Sequence, residues 1–192
     1  MKKLKCDFRS GLLVLIVLLA AFSRLIPHPL NFAPVGAMAL FGVAYFNQRV
    51  FAFLFPILAM FLSDLVLNNV VFAGQFEGFT LLYPGAVWTY ASFVLIGLVG
   101  LLLLKKVKPL NLLAASISAS VLFFLVSNFG FWSTGLLYPM SFEGLMACYT
   151  AGLPFFKNTL LGDLFYTAVL FGAFELIQAR FPVLKPALSG NN

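Results

Sequence analysis

The chain alternates long apolar stretches with short polar punctuation. A helix needs roughly 20 mostly apolar residues to cross the hydrocarbon core of a bilayer. By that measure the pattern predicts six spans, at about 11–27, 32–47, 50–70, 83–104, 111–134 and 157–179. The expected fold is all-α: one membrane domain over residues 1–192, built as a six-transmembrane-helix bundle. The second span is short and opens with "NFAPVGAMALFGVAYF". It predicts a tilted or partly broken helix, with Pro34 in its first turn. "NQR" at 47–49 is then a tight turn. The alternative is a single crossing over 33–70, and five spans in all.

Charge decides between these counts. The chain holds 12 Lys and Arg. With the N-terminus in the cytoplasm, six alternating spans place Lys2, Lys3, Lys5, Arg9, Arg49, Lys105, Lys106, Lys108, Arg180 and Lys185 on the cytoplasmic side. Only Arg24 and Lys157 fall on the other. Basic residues concentrate in cytoplasmic loops, so the expected arrangement is N-in and C-in. Residues 1–22 also have the basic start and apolar run of a secretory signal. They read as a retained first span, because cleavage near Ala20–Ser23 would leave five spans and spoil the charge bias.

Composition agrees with the pattern. Hydrophobic residues make up 62% and charged residues 9%, against about 45–50% and about 25% in soluble domains. So few polar groups cannot cover a water-facing surface. The chain reads as an integral membrane protein, with the lipid bilayer as its first partner. The net charge of +6 lies at helix ends and belongs to no nucleic-acid motif, so no nucleic-acid partner is expected.

The loops differ by side. The inner ones are short, "NQR" and "KKVKPLN". The outer ones are "PHPLNF", "VFAGQFEGFTLLYPG" and "TGLLYPMSFEGLMACYTAGLPFF". The aromatic, Gly and Pro content of the last two predicts lids or re-entrant caps. In span five, Ala114/Ser118, Ala115/Ala119 and Ser116/Ser120 repeat at four-residue spacing, as does Ala33/Ala37 earlier. Such spacing lets helix backbones approach closely, inside the bundle or against a helix-packing partner.

A charge at mid-bilayer costs at least about 2.5 kcal/mol on insertion scales, so polar residues in the spans are the sharpest clues. Asp64 and Asn68 in "LSDLVLNN" lie one turn apart on one face. Asn128 and Trp132 in "SNFGFW" do the same. "KNTLLGDL" puts Asn158 at the mouth of span six and Asp163 deeper. Arg24 ends span one, and His28 and Asn31 follow it in "SRLIPHPLNF". All map to the outer half. They are either ties between helices or the lining of an outward-facing cavity beneath the aromatic loops. The cavity reading adds Glu77, Tyr83 and Glu143 as loop contacts. Arg24 then pairs with Asp64 or Asp163, or faces a solute.

Enzyme motifs are absent. With one His and two Cys (Cys6 and Cys148), neither a metal site nor a cofactor is expected. Two other readings stay open: an intramembrane enzyme using Asp64 and Asp163 as an acid/base pair on a lipid or cofactor, and a structural partner subunit.

"RLIPHPLNFAPVGAMALFG", "LSDLVL", "SNFGFW" and "LPFFKNTLLGDL" together resemble an uncharacterised family of small bacterial membrane proteins. That family is similar to the substrate-binding S components of ECF-type vitamin transporters, the cobalamin-type S component among them. The resemblance implies a six-helix S-component-like fold and a vitamin site near the outer face, for cobalamin or another vitamin. It also implies an energising ECF module as partner. S components that dock on that module often carry Ala-x-x-x-Ala in the first helix, and this first span has none.

Overall fold

The structure is a computed structural model, and it describes residues 8–184. Lys2, Lys3, Lys5, Cys6 and Lys185, counted above, lie outside the described residues. Six α-helices and no strand occur among the described residues: α1 (Phe8–Ser23), α2 (Val35–Tyr45), α3 (Arg49–Val66), α4 (Ala86–Leu103), α5 (Pro109–Trp132) and α6 (Phe142–Arg180). A π-helical turn, Leu67–Val71, prolongs α3.

The short helix α2 is the axis of the bundle. It packs on all five others, and nine of its 11 residues are buried. At 1.5 Å per residue, 11 residues rise only about 16 Å, half of a hydrocarbon core. Its start is fixed by Pro34, whose missing N–H cannot continue a helix backwards. The preceding stretch 24–34 is irregular. Asn31 there adopts a left-handed conformation at φ 64°, which Asn tolerates better than most residues.

The helices run antiparallel in sequence order. Thr167 faces Ser116, Asp163 faces Ser120 and Phe156 faces Phe124, which sets the register of α6 on α5. At one end of the bundle, the Arg9 Nη1 donates to the Tyr45 carbonyl at 2.7 Å, and the Tyr45 hydroxyl donates to Glu175 Oε1 at 2.5 Å. Above them Phe41 packs on Phe171 and Phe174, with ring centroids 5.5 and 5.6 Å apart. At the other end, Arg24 meets Asp64.

The surface is apolar. Leu113, Ile117, Val121 and Leu125 form one exposed stripe along α5, each at least 40% exposed. Ala115, Ser116, Ala119 and Ser120 are buried on the opposite side, so these small residues serve packing within the bundle. Four helices are long and apolar enough to cross a membrane: Arg49–Val71, Ala86–Leu103, Pro109–Trp132 and Phe142–Arg180. The helices α1 and α2 are shorter, at 16 and 11 residues.

One boundary differs widely from expectation. The last helix begins at Phe142 rather than near residue 157. Ser141 caps it by accepting the Gly144 N–H, and Glu143 stands in its first turn. An acid there favours the positive end of the helix dipole. Pro154 does not stop the helix; neighbouring helices make such prolines tolerable in membranes. Most of the expected second lid is therefore helix, and only 133–141 is loop.

The helices α2 and α3 approach closely at Gly42. A Cβ there would press on the Ala52 carbonyl and come within 2.7 Å of Pro56 Cγ. Overpacking of this kind costs about 1–3 kcal/mol. Gly42→Ala is expected to lower the thermal unfolding temperature in detergent. An unchanged temperature would mean that α2 and α3 part without cost.

Candidate functional site: a polar cavity at the Arg24 end

Each functional side chain in this region is set by a different element. Arg24 lies just beyond α1. Its Nη1 sits 2.7 Å from Asp64 Oδ1 and donates to Ser63 Oγ at 2.7 Å. Asp64 is 2% exposed and Arg24 13%. The second Asp64 oxygen accepts from the Tyr90 hydroxyl at 2.7 Å, across from α4. The Ser63 hydroxyl in turn donates to the Met60 carbonyl. The carboxylate is thus closed on both oxygens.

Asp163 makes a separate set. Its Oδ2 accepts from the Ser120 hydroxyl at 2.7 Å. The backbone N–H groups of Gly36 and Ala37 donate to the same carboxyl. Asp163 therefore caps the first turn of α2 from a neighbouring helix. A Cβ at Gly36 would lie 2.5 Å from Asp163 Oδ1, so glycine is what admits the carboxyl. Next to it, Gly162 lets the backbone of Phe32 and Ala33 rest directly on α6.

Three adjoining chambers open among these elements. The first, about 390 Å³, is walled by Arg24, His28, Asn31, Tyr83, Ser127 and Asp163, among others. The second, about 190 Å³, lies between α5 and α6 beside Asn128 and shares Asn31, Phe123, Ser127 and Thr159 with the first. The third, about 390 Å³, holds Asp64 and Asn68 and shares Arg24, Leu67, Phe72 and Tyr83 with the first. Burial pushes the Tyr83 phenol above its ordinary pKa, so it remains a donor.

The structure brings together Arg24, His28, Asn31, Asp64, Asn68, Tyr83, Asn128 and Asp163 around these chambers. Their roles differ. Asn128 donates to its own helix at Phe124 O and presses its Oδ1 on Gly152. His28 is exposed, with Nδ1 2.9 Å from the Pro29 carbonyl. The other four expected residues lie off these walls. Asn158 donates to the Leu30 carbonyl at 2.9 Å and pins the irregular stretch. Trp132 donates to the Pro139 carbonyl. Glu143 begins α6, and Glu77 is exposed in the loop before α4. Arg24 pairs with Asp64 and not with Asp163. The two carboxyls share no partner.

Several residues at the site went unnoticed in the sequence. Thr159 stands one turn before Asp163, and that spacing was a usable signal. Ser120 was legible only as a small packing residue. Asn69 grips the outer loop, with Nδ2 donating to Thr80 O at 2.8 Å and Oδ1 accepting from Thr80 N at 2.7 Å. Nothing in the chain announces Tyr90 as the second partner of Asp64.

Four helices long and apolar enough to cross a bilayer, in an apolar-surfaced bundle with a polar cavity at one end, are the features of a membrane protein. The chain belongs to a family of unknown function, DUF6580, whose family model matches residues 5–184. No curated protein matches it, and no solved structure does.

The Arg24–Asp64 pair gives a direct test of coupling. Removing one partner of a buried pair strands a charge and costs about 3–5 kcal/mol, whereas replacing both with apolar groups is often neutral. Arg24→Met and Asp64→Leu are each expected to unfold at lower temperature, and the double variant to recover most of the loss. Additive losses would show that the pair is solvated and not mutually dependent.

Proposed function

We propose that the chain is a membrane substrate-binding protein that captures a small, vitamin-like solute in the cavity at the Arg24 end. One observation carries this reading: irregular backbone descends to the middle of the bundle and lines a polar cavity. Non-helical backbone at membrane depth is tolerated only where protein buries it or where it faces a water-filled space. A binding site is the economical reason for building such a space. The two larger chambers, about 390 Å³ each, lie in the range of ligand pockets, which run from about 300 to 1,000 Å³ and combine apolar walls with a few placed polar groups; the smaller one adds about 190 Å³ beside the first.

On this reading the Arg24 end faces outward. Arg49, Lys105, Lys106, Lys108 and Arg180 lie at helix ends on the opposite side, as the positive-inside rule asks. The topology is then six segments with both termini inside, in a bacterial inner membrane. The segment 24–45 counts as one crossing made of loop and half-helix. The likeness to ECF-type S components supports the same class and makes an energising module the natural partner. The acid/base enzyme reading loses ground, because Asp64 and Asp163 are each closed in their own hydrogen bonds.

Native mass spectrometry of the protein purified in mild detergent is expected to show a retained small molecule. Ser127→Phe, which fills the junction of the first two chambers, is expected to abolish retention while leaving folded yield unchanged. A protein that retains nothing under any mild condition, or a Ser127→Phe variant that retains as much, would sink the proposal.

A further inference from the structure

Arg24 is the wall between two of the chambers, and its guanidinium is only partly used. A guanidinium carries five N–H groups in a planar fork. Asp64 and Ser63 both engage Nη1. Arg24 retains 13% exposure, so part of its fork is open to the chambers. In the third chamber, beside Arg24, lies Asn68. Its side chain is 5% exposed, and its Nδ2 has no hydrogen-bond partner. A buried donor without a partner is costly and calls for a reason. Tyr83 closes the same corner with a protonated phenol.

The acceptors nearby are already taken. Both Asp64 oxygens are engaged, by Arg24 and Tyr90. Asp163, on the far wall of the first chamber, is held by Ser120 and the α2 amides. What remains is a corner rich in donors: the outer edge of Arg24, the Asn68 Nδ2 and the Tyr83 hydroxyl, whose oxygen already meets the Thr89 hydroxyl. Phe72, Phe76 and Pro84 give it an apolar cover. The corner stands on a π-helical turn, where Phe72 N–H reaches back to the Leu67 carbonyl at 2.7 Å. Turns of this kind occur frequently at functional sites.

We infer that this corner is the subsite for a carboxylate of the captured solute, carried on an apolar or aromatic body. The inference rests on the capture reading and specifies its ligand. A carboxylate offers two coplanar acceptors, which match a guanidinium edge. An ammonium would lie against the Arg24 charge and find both Asp64 oxygens already engaged. The Arg24–Asp64 pair is neutral as a whole, so recognition comes from hydrogen-bond geometry more than from net charge.

The test uses fluorine NMR line broadening on the purified protein in detergent, with 4-fluorobenzoate, 4-fluorobenzamide and 4-fluorobenzylamine as probes. The benzoate is expected to bind at least about tenfold more tightly than the amide, and the amine not at all. Asn68→Leu is expected to weaken benzoate binding about tenfold while leaving the unfolding temperature unchanged or higher, because it removes a stranded donor. Tyr83→Phe is expected to weaken binding as well, with the ring still in place. Preference for the amide or the amine, equal binding of all three, or binding of none overturns the subsite. So does benzoate binding that survives both substitutions, or an Asn68→Leu protein that is less stable. A retained molecule without a carboxylate in the mass spectrum would overturn the subsite alone; no retained molecule would overturn the capture reading.

Discussion

The fold depends on how the first turn of α2 is satisfied in the middle of the bundle. A helix leaves its first N–H groups without internal partners, and at membrane depth water cannot supply acceptors freely. Asp163 does so here, accepting from the Gly36 and Ala37 amides while Ser120 orients its other side. The carboxyl oxygens also lie at the positive end of the α2 dipole, where an acceptor is favoured. Everything that brings the carboxyl there follows. Gly36 leaves it room, Gly162 lets the incoming chain lie on α6, and Asn158 holds Leu30 one turn higher. Together with Pro34, this seat sets where the half-helix starts.

The seat makes the cavity. Because α2 begins halfway through the bundle, the volume above it is filled only by the irregular stretch 24–34. Five helices therefore surround a space that a full-length helix would have occupied. Arg24 and Asp64 brace its rim. Their pairing is not evidence of strong stabilisation, since desolvation offsets much of the attraction between buried charges. Its structural value is geometric: it ties the end of α1 to α3, and Tyr90 extends the tie to α4.

How far the sequence could be read followed from which physical rule applied. Charges in an apolar chain must pair, so Arg24, Asp64 and Asp163 stood out, and the alternation of apolar runs gave six helices. The partner of Asp163 did not stand out, because it is backbone, and backbone amides carry no mark in a sequence. Asn68 was assigned by helical period, and its neighbour Asn69 was not. Asn68 keeps its place on the cavity wall, but Asn69 binds the loop. The π turn breaks the regular period at that point. The start of α6 was hidden by Pro154 and by a run of Gly and aromatic residues that also suits a loop. Whether the cavity binds a solute is a question of chemistry that the helix pattern does not address.

The cavity is also blind. Below Gly36 and Asp163, α2 continues as the buried run Ala37 to Gly42. Phe41, Tyr45, Phe171 and Phe174 then fill the axis with rings in mutual contact. Arg9, Tyr45 and Glu175 close that end with hydrogen bonds. A solute held above Asp163 has no path through this floor while α2 stays seated. On the capture reading, a molecule bound at one side reaches the other only if α2 shifts against α6 or the whole bundle changes its orientation. Packed cores switch between discrete arrangements more readily than they deform smoothly. On that reading the fold fits a vessel loaded from one side more closely than an open channel.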